Sequence, residues 1–228
     1  MTAVGTERSR AASRKEAAFR YGVVLALVLA FVVLEVLAPD KPWSRGAGIA
    51  LSGAALGVSV ATSRERANVR RARTAIVLGV VVILAVAVAA GALSDAVTFV
   101  VGTVIVAAIP VALGGGLIRL INADGVTVEA VAGALAIYLL IGMLFASAIG
   151  FVAAVDSSPY FAQESHINNG DVVYYSFTVM TTTGFGDLTA AQPIGHALAV
   201  LEMLVGQLYL VTVIGILIGN FVGRRMRK

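Results

Sequence analysis

Apolar residues run through this chain in long stretches parted by short polar breaks. The stretches at 21–37, 46–61, 74–93, 96–120, 126–155 and 193–222 read as membrane-crossing helices, because a hydrocarbon core about 30 Å thick takes roughly 20 helical residues. One further segment, Asp171 to Thr181, is too short for that role. As a helix it would measure roughly 16 Å, which suits a re-entrant half-helix between the fifth and sixth spans. The pattern predicts an all-α integral membrane protein with six transmembrane helices and one half-helix.

The breaks carry detail of their own. Tyr21 to Leu37 has a basic flank, as a secretory signal would, but it exceeds the usual apolar length of about 7 to 15 residues, and Pro39 follows closely. It is read as a retained span, with Glu35 near its outer end snorkelling to the interface. Pro39 to Arg45, with the lone Trp43, forms the first outer loop, and Gly46 to Ala61 is rich in small residues that let helices approach closely. Ser94 and Asp95 make a tight outer turn. In the fourth span Pro110 and the run Gly114, Gly115, Gly116 are expected to kink or break the helix. Asn122 to Gly125 is a polar inner turn. Asp156 to Gly170 is an extracellular turret, in which His166 reads as a solvent-exposed loop residue because no partner stands at metal-ligand spacing.

Composition narrows the class. At 59% hydrophobic and 13% charged, the 228 residues lie well outside the soluble range of about 45 to 50% and 25%. With no cysteine, disulfides and thiolate metal sites are excluded. A net charge of +4 would suggest nucleic acid in a soluble chain, but here the cations sort into alternate loops, so no nucleic-acid partner is expected. If both termini are cytoplasmic, every Lys and Arg except Lys41 and Arg45 falls on the inner side, including the dense loop Arg64, Arg66, Arg70, Arg71 and Arg73. The outer segments hold Asp40, Asp95, Asp156, Glu164, Asp171 and Asp187, which would raise the local cation concentration. Residues 1–20 form a basic lead-in that either lies along the anionic inner leaflet or hangs as a disordered tail. In the short basic tail 223–228, Arg224, Arg225 and Arg227 are candidate contacts for anionic lipid.

The candidate chemistry lies in Tyr174 to Asp187, YYSFTVMTTTGFGD. A cation entering a membrane loses its water at a cost on the order of tens of kcal/mol unless other oxygens replace it. Thr182, Thr183, Gly184 and Phe185 can each offer a carbonyl, and the Thr182 hydroxyl adds another oxygen. Keeping successive carbonyls on one side requires some residues at positive φ, which Gly184 and Gly186 tolerate without a Cβ clash. The half-helix would point its partially negative C-terminal end at the ion, and Asp171 suits its positive end.

These residues resemble the potassium-channel signature, T-x-G-[YF]-G followed by Asp. The resemblance covers residues 126–222 and implies an outer helix, turret, pore helix, filter and inner helix. It implies a selectivity filter at Thr182, Thr183, Gly184, Phe185 and Gly186, with K+ held through Thr182 to Phe185 and Phe185 packing outward. Tyr174 and Tyr175 stand where relatives carry an aromatic pair bracing the filter, and Tyr175 is expected to bond Asp187. Thr178 stands where many relatives have a glutamate. The sequence EMLVGQLYLVT from Glu202 to Thr212 resembles the inner helix, with Gly206 as a gating hinge and Gln207, Leu210 and Ile214 lining a cavity. Glu202, ionisable within the membrane, is expected to bond a hydroxyl on the pore helix.

One filter segment cannot encircle an ion, and no internal repeat supplies another, so a homotetrameric pore passing K+ across the plasma membrane is expected, with no cofactor. Residues 21–120 stand where relatives carry a voltage sensor, yet Val97 to Ile118 holds no Arg or Lys, so weak voltage dependence is expected. Only six residues follow Val222, so no cytoplasmic ligand-sensing domain is expected. The nearest alternative is a weakly selective monovalent cation channel, because Thr183 and Phe185 replace the commoner Val and Tyr. A secondary cation transporter would need two related halves with broken helices, which the sequence does not show. An enzyme is not expected, since no catalytic pair, metal cluster or phosphate loop stands out.

Overall fold

The computed structural model describes residues 21–39, 41–61, 67–163 and 168–225. The lead-in 1–20, Asp40, Arg64, Arg66, Glu164, His166, Arg227 and Lys228 lie outside the described residues, as do the side chains of Arg224 and Arg225. The helices are α1 (Tyr21–Leu37), α2 (Pro42–Ala61), α3 (Ala67–Ala89), α4 (Asp95–Asp124), α5 (Val128–Val155), α6 (Asn169–Met180), α7 (Pro193–Leu208) and α8 (Gly215–Arg225), with a π-helical segment Tyr209–Ile214 between the last two. Among the described residues the only extended pairing is one bridge between Phe161 and Ala190. Val97–Asn122, Val128–Val155 and Pro193–Asn220 are long and apolar enough to cross a membrane, while Tyr21–Leu37 and Thr74–Ala89 are shorter apolar helices. Over the described residues the chain is all-helical, and its long apolar helices are those of a membrane protein.

Small residues set how closely the first helices pack. A Cβ added at Gly46 would lie 2.7 Å from the Ala89 Cβ, one at Gly53 2.0 Å from Val81, and one at Gly57 2.8 Å from Leu78. These three positions lie on one face of α2, which therefore runs antiparallel to α3 in close contact. On α1, Tyr21, Val24, Val28 and Phe31 recur at helical spacing and are buried in the core shared with α2, α4 and α5. Tyr21 fills a notch between Gly116 and Gly133, where added Cβ atoms would lie 2.8 Å from its hydroxyl and 2.9 Å from its ring. Helices α4 and α5 form an antiparallel pair across a turn in which Gly125 takes φ +72° and Thr127 caps α5 by accepting from the Ala130 amide at 3.3 Å.

Several expected boundaries move. The first outer loop is shorter, because Pro42 starts α2 and Trp43 sits in its first turn. The third helix ends at Ala89 rather than Leu93, where Gly91 turns the chain at φ +68°. Helix α4 runs unbroken through Pro110 and the three glycines. Proline removes only one helical hydrogen bond, and the buried Ile109 and Leu113 hold that stretch against its neighbours. The sixth span is helical without a break, but it passes from α7 through the π segment to α8.

Candidate functional site

Helix α6 opens on a capping box. The Asn168 side chain accepts from the Asp171 amide at 3.1 Å, and the Asp171 carboxylate accepts from the Asn168 amide at 2.9 Å. The spacing N-x-x-D was legible, and it places the helix start before Asp171. At the other end, the Thr182 amide donates to the Val179 carbonyl at 2.9 Å, and the Thr183 and Gly184 amides both donate to the Thr178 carbonyl, at 2.9 Å and 3.1 Å. Thr178 thus holds the following loop through its backbone, while its hydroxyl turns back to the Tyr175 carbonyl at 2.8 Å.

Beyond α6 the backbone alternates in hand. Thr182, Gly184 and Gly186 take φ of +57°, +51° and +81°, while Thr183 and Phe185 between them do not take positive φ. Alternating hand turns successive N–H groups to one side and successive C=O groups to the other. On the N–H side, the amides of Thr182, Thr183 and Gly184 are taken up by the α6 carbonyls just named. None of the carbonyls from Thr182 to Gly186 accepts a hydrogen bond from a described residue, and all five residues are exposed in the single chain. The glycines were expected at positive φ; Thr182 was not. A left-handed threonine costs roughly 1–2 kcal/mol, and its backbone bond to Val179 helps to hold it there. Gln207 Nε2 approaches its hydroxyl at 3.4 Å.

Two layers of aromatic rings support this loop. Phe185 stacks on Tyr174, with centroids 6.3 Å apart and planes within 3°, and the Tyr174 hydroxyl donates to Asp187 Oδ2 at 2.9 Å. The expected partner of Asp187 was Tyr175, and here the expectation fails. Adjacent helical residues project about 100° apart, so only one of the two tyrosines can face the loop. Tyr175 instead packs edge-on against Phe161 and Tyr160 of the turret, with centroids 5.0 Å and 6.4 Å away. Burial pushes the pKa of the Tyr160 hydroxyl up, and nearby Tyr175 and Glu202 add to the shift. The turret also ties down the chain leaving the loop: Ala162 donates to the Thr189 carbonyl at 2.9 Å, Ala191 to the Tyr160 carbonyl at 2.8 Å, and the Gln163 amide bonds Thr189 twice.

Behind the loop Glu202 is fully buried. Its Oε1 meets the Ser176 hydroxyl at 2.5 Å, and that hydroxyl also meets the Gly142 carbonyl at 2.8 Å, so α5, α6 and α7 are joined at one point. The hydroxyl expected for Glu202 is therefore that of Ser176, whose place one helical turn before Met180 gave no signal by itself. The second carboxyl oxygen, Oε2, has no described partner. Gly206 is also buried, and an added Cβ would lie 2.6 Å from the Met180 carbonyl and 2.7 Å from its Cγ. The helix departs from α geometry three residues later, at Tyr209, whose hydroxyl donates to the Ala134 carbonyl at 2.8 Å and whose ring stacks on Tyr138.

Of the three expected cavity residues, only Gln207 points towards the loop. Ile214 is buried in a cluster with Leu117, Ala130, Ala134 and Leu217, and Leu210 packs against the same cluster. The π segment adds a residue to the turn and so rotates the positions after it, which is why extrapolating an α-helix from Gln207 misplaces Ile214. Among the described residues no group of three His, Cys, Asp or Glu converges.

Residues 135–222 match the family model described as an ion channel. No curated protein and no solved structure matches the chain.

Proposed function

We propose, for a chain whose residues 135–222 match the ion-channel family model, a potassium-selective pore made by four copies around one axis. The observation that carries this reading is the row of carbonyls from Thr182 to Gly186, alternating in hand, exposed and without a hydrogen-bond donor among the described residues. One chain offers a single edge of oxygens. Fourfold symmetry would turn that edge into stacked rings that replace the water around a dehydrated cation.

The surrounding residues would serve that column. The C-terminal end of α6 adds partial negative charge beside the ion. Thr178 fixes the amide side of the ribbon, Tyr174 and Asp187 brace its outer end, and Glu202 with Ser176 anchors the pore helix from behind. Passage is passive, down the electrochemical gradient across the plasma membrane, through an acidic outer mouth, with both termini cytoplasmic and Arg224, Arg225 and Arg227 beside anionic lipid.

Reversal potentials in planar bilayers under potassium and sodium substitution test the reading. It expects a reversal potential that follows the potassium gradient; equal permeability for the two ions overturns it. The second reading, a weakly selective cation channel, draws on Phe185, which is 69% exposed in the single chain, has no hydroxyl, and has stacking on Tyr174 as its packing contact. The same recording separates the two.

A further inference from the structure

The outer end of α1 reaches the start of the pore helix. Glu35 continues the buried stripe of Tyr21, Val24, Val28 and Phe31, and its Oε2 accepts from Asn169 Nδ2, the first residue of α6. The main chain is as close: an added Cβ at Gly170 would lie 2.7 Å from the Val36 carbonyl and 3.2 Å from the Glu35 carbonyl. From the other side, an added Cβ at Gly48 on α2 would lie 1.9 Å from Glu35 Oε1. Gly48 and the Asn169 amide therefore seat this carboxyl group, Gly170 seats the main-chain carbonyls behind it, and a cavity of about 60 Å³ that Arg45 and Ser147 also line lies beside them. Snorkelling to the interface was the expectation for Glu35. The stripe carries it inward instead.

We infer that Glu35 is a positioning residue for the pore helix, and that residues 21–120 act on ion selection through its socket of Gly48, Asn169 and Gly170. The C-terminal carbonyls of α1 and the Glu35 carboxyl group face the partially positive N-terminus of α6, an attractive arrangement. They also offset the charge at the far end of that helix, so the negative end towards the ion is less cancelled. The opposite end of α6 holds the filter amides through Thr178 and Val179, so tilting the helix at Asn169 moves the carbonyl row.

The inference rests on the pore reading above, and hydrogen exchange separates the two because it reads helix position whichever ion passes. In the full-length protein in nanodiscs, Glu35→Ala is expected to speed exchange of the Val172 to Tyr175 amides at least about fivefold, with α5 exchange unchanged as the control for folding. In bilayers the same variant should raise the sodium-to-potassium permeability ratio about three- to tenfold. Glu35→Gln keeps an acceptor for Asn169 and should restore both readouts. Gly48→Ala, which leaves Glu35 in place but displaces its carboxyl group, should reproduce Glu35→Ala, and combining Glu35→Ala with Asn169→Ala should add nothing further. Unchanged pore-helix exchange in both Glu35→Ala and Gly48→Ala overturns the inference, as does an unchanged permeability ratio over a selective wild type. A wild type that passes both ions equally counts against the pore reading, and exchange alone then decides this one.

Discussion

An alanine at Gly184 or Gly186 would meet open space, so its whole cost is backbone strain at φ +51° or +81°. That strain, roughly 1–2 kcal/mol, is too small to unfold the chain but large enough to turn a peptide plane. Gly184→Ala and Gly186→Ala are expected to keep assembly, read by native mass, while losing preference for potassium in the reversal potential. Gly206 is the opposite case, because its Cβ would strike the Met180 carbonyl in ordinary helical geometry. Gly206→Ala should therefore disturb the base of the filter and lower selectivity; altered open probability with selectivity intact would show that bending is its main role. At Glu202, truncation to alanine leaves the buried Ser176 hydroxyl with one acceptor fewer and a cavity behind it. A loss of about 2–4 kcal/mol in thermal or denaturant unfolding is expected, and Glu202→Gln should recover most of it.

Each helix was legible where its own residues fix its structure, and less so where a neighbour does. The long apolar runs gave α4 and α5 to within a few residues, and the pentad before Asp187 gave the loop with its two left-handed glycines. Left-handed Thr182 was hidden, since threonine is a poor choice for that conformation, and what holds it includes the carbonyls at the end of α6. The turret pairing of Tyr160 and Gln163 with residues 189–191 joins segments far apart in sequence and has no local signal. The π segment was likewise invisible, because Tyr209–Ile214 reads as ordinary apolar helix. There Tyr209 ties the inner helix to Ala134 of α5 through one hydrogen bond. Tyr209→Phe keeps the stacking on Tyr138 and removes that tie, worth about 1 kcal/mol. If the π segment is where the inner helix flexes, single-channel open probability should shift severalfold without a change in the permeability ratio, and an unchanged open probability would assign Tyr209 to packing alone.

Helices α1 and α4 are fastened to opposite ends of α5 in the same chain. Tyr21 fills the notch between Gly116 and Gly133, and Phe99 covers Gly150, where an added Cβ would lie 2.4 Å from its ring. Only residues 125–127 separate α4 from α5, so α4 packs on the α5 that follows it. An assembly of this kind would respond to voltage only if charge crossed the membrane field, at about 2.3 kcal/mol per elementary charge per 100 mV. Val97 to Ile118 contributes none. The two acidic groups packed against the pore helix, half-buried Glu35 and buried Glu202, cannot substitute: Glu35 is seated between Gly48 and Asn169, and Glu202 is joined to Ser176. Moving either would break its contacts and open space in the core. The conductance of the purified protein in bilayers should therefore change by less than about threefold between −100 and +100 mV, and a steep sigmoidal curve would overturn this expectation.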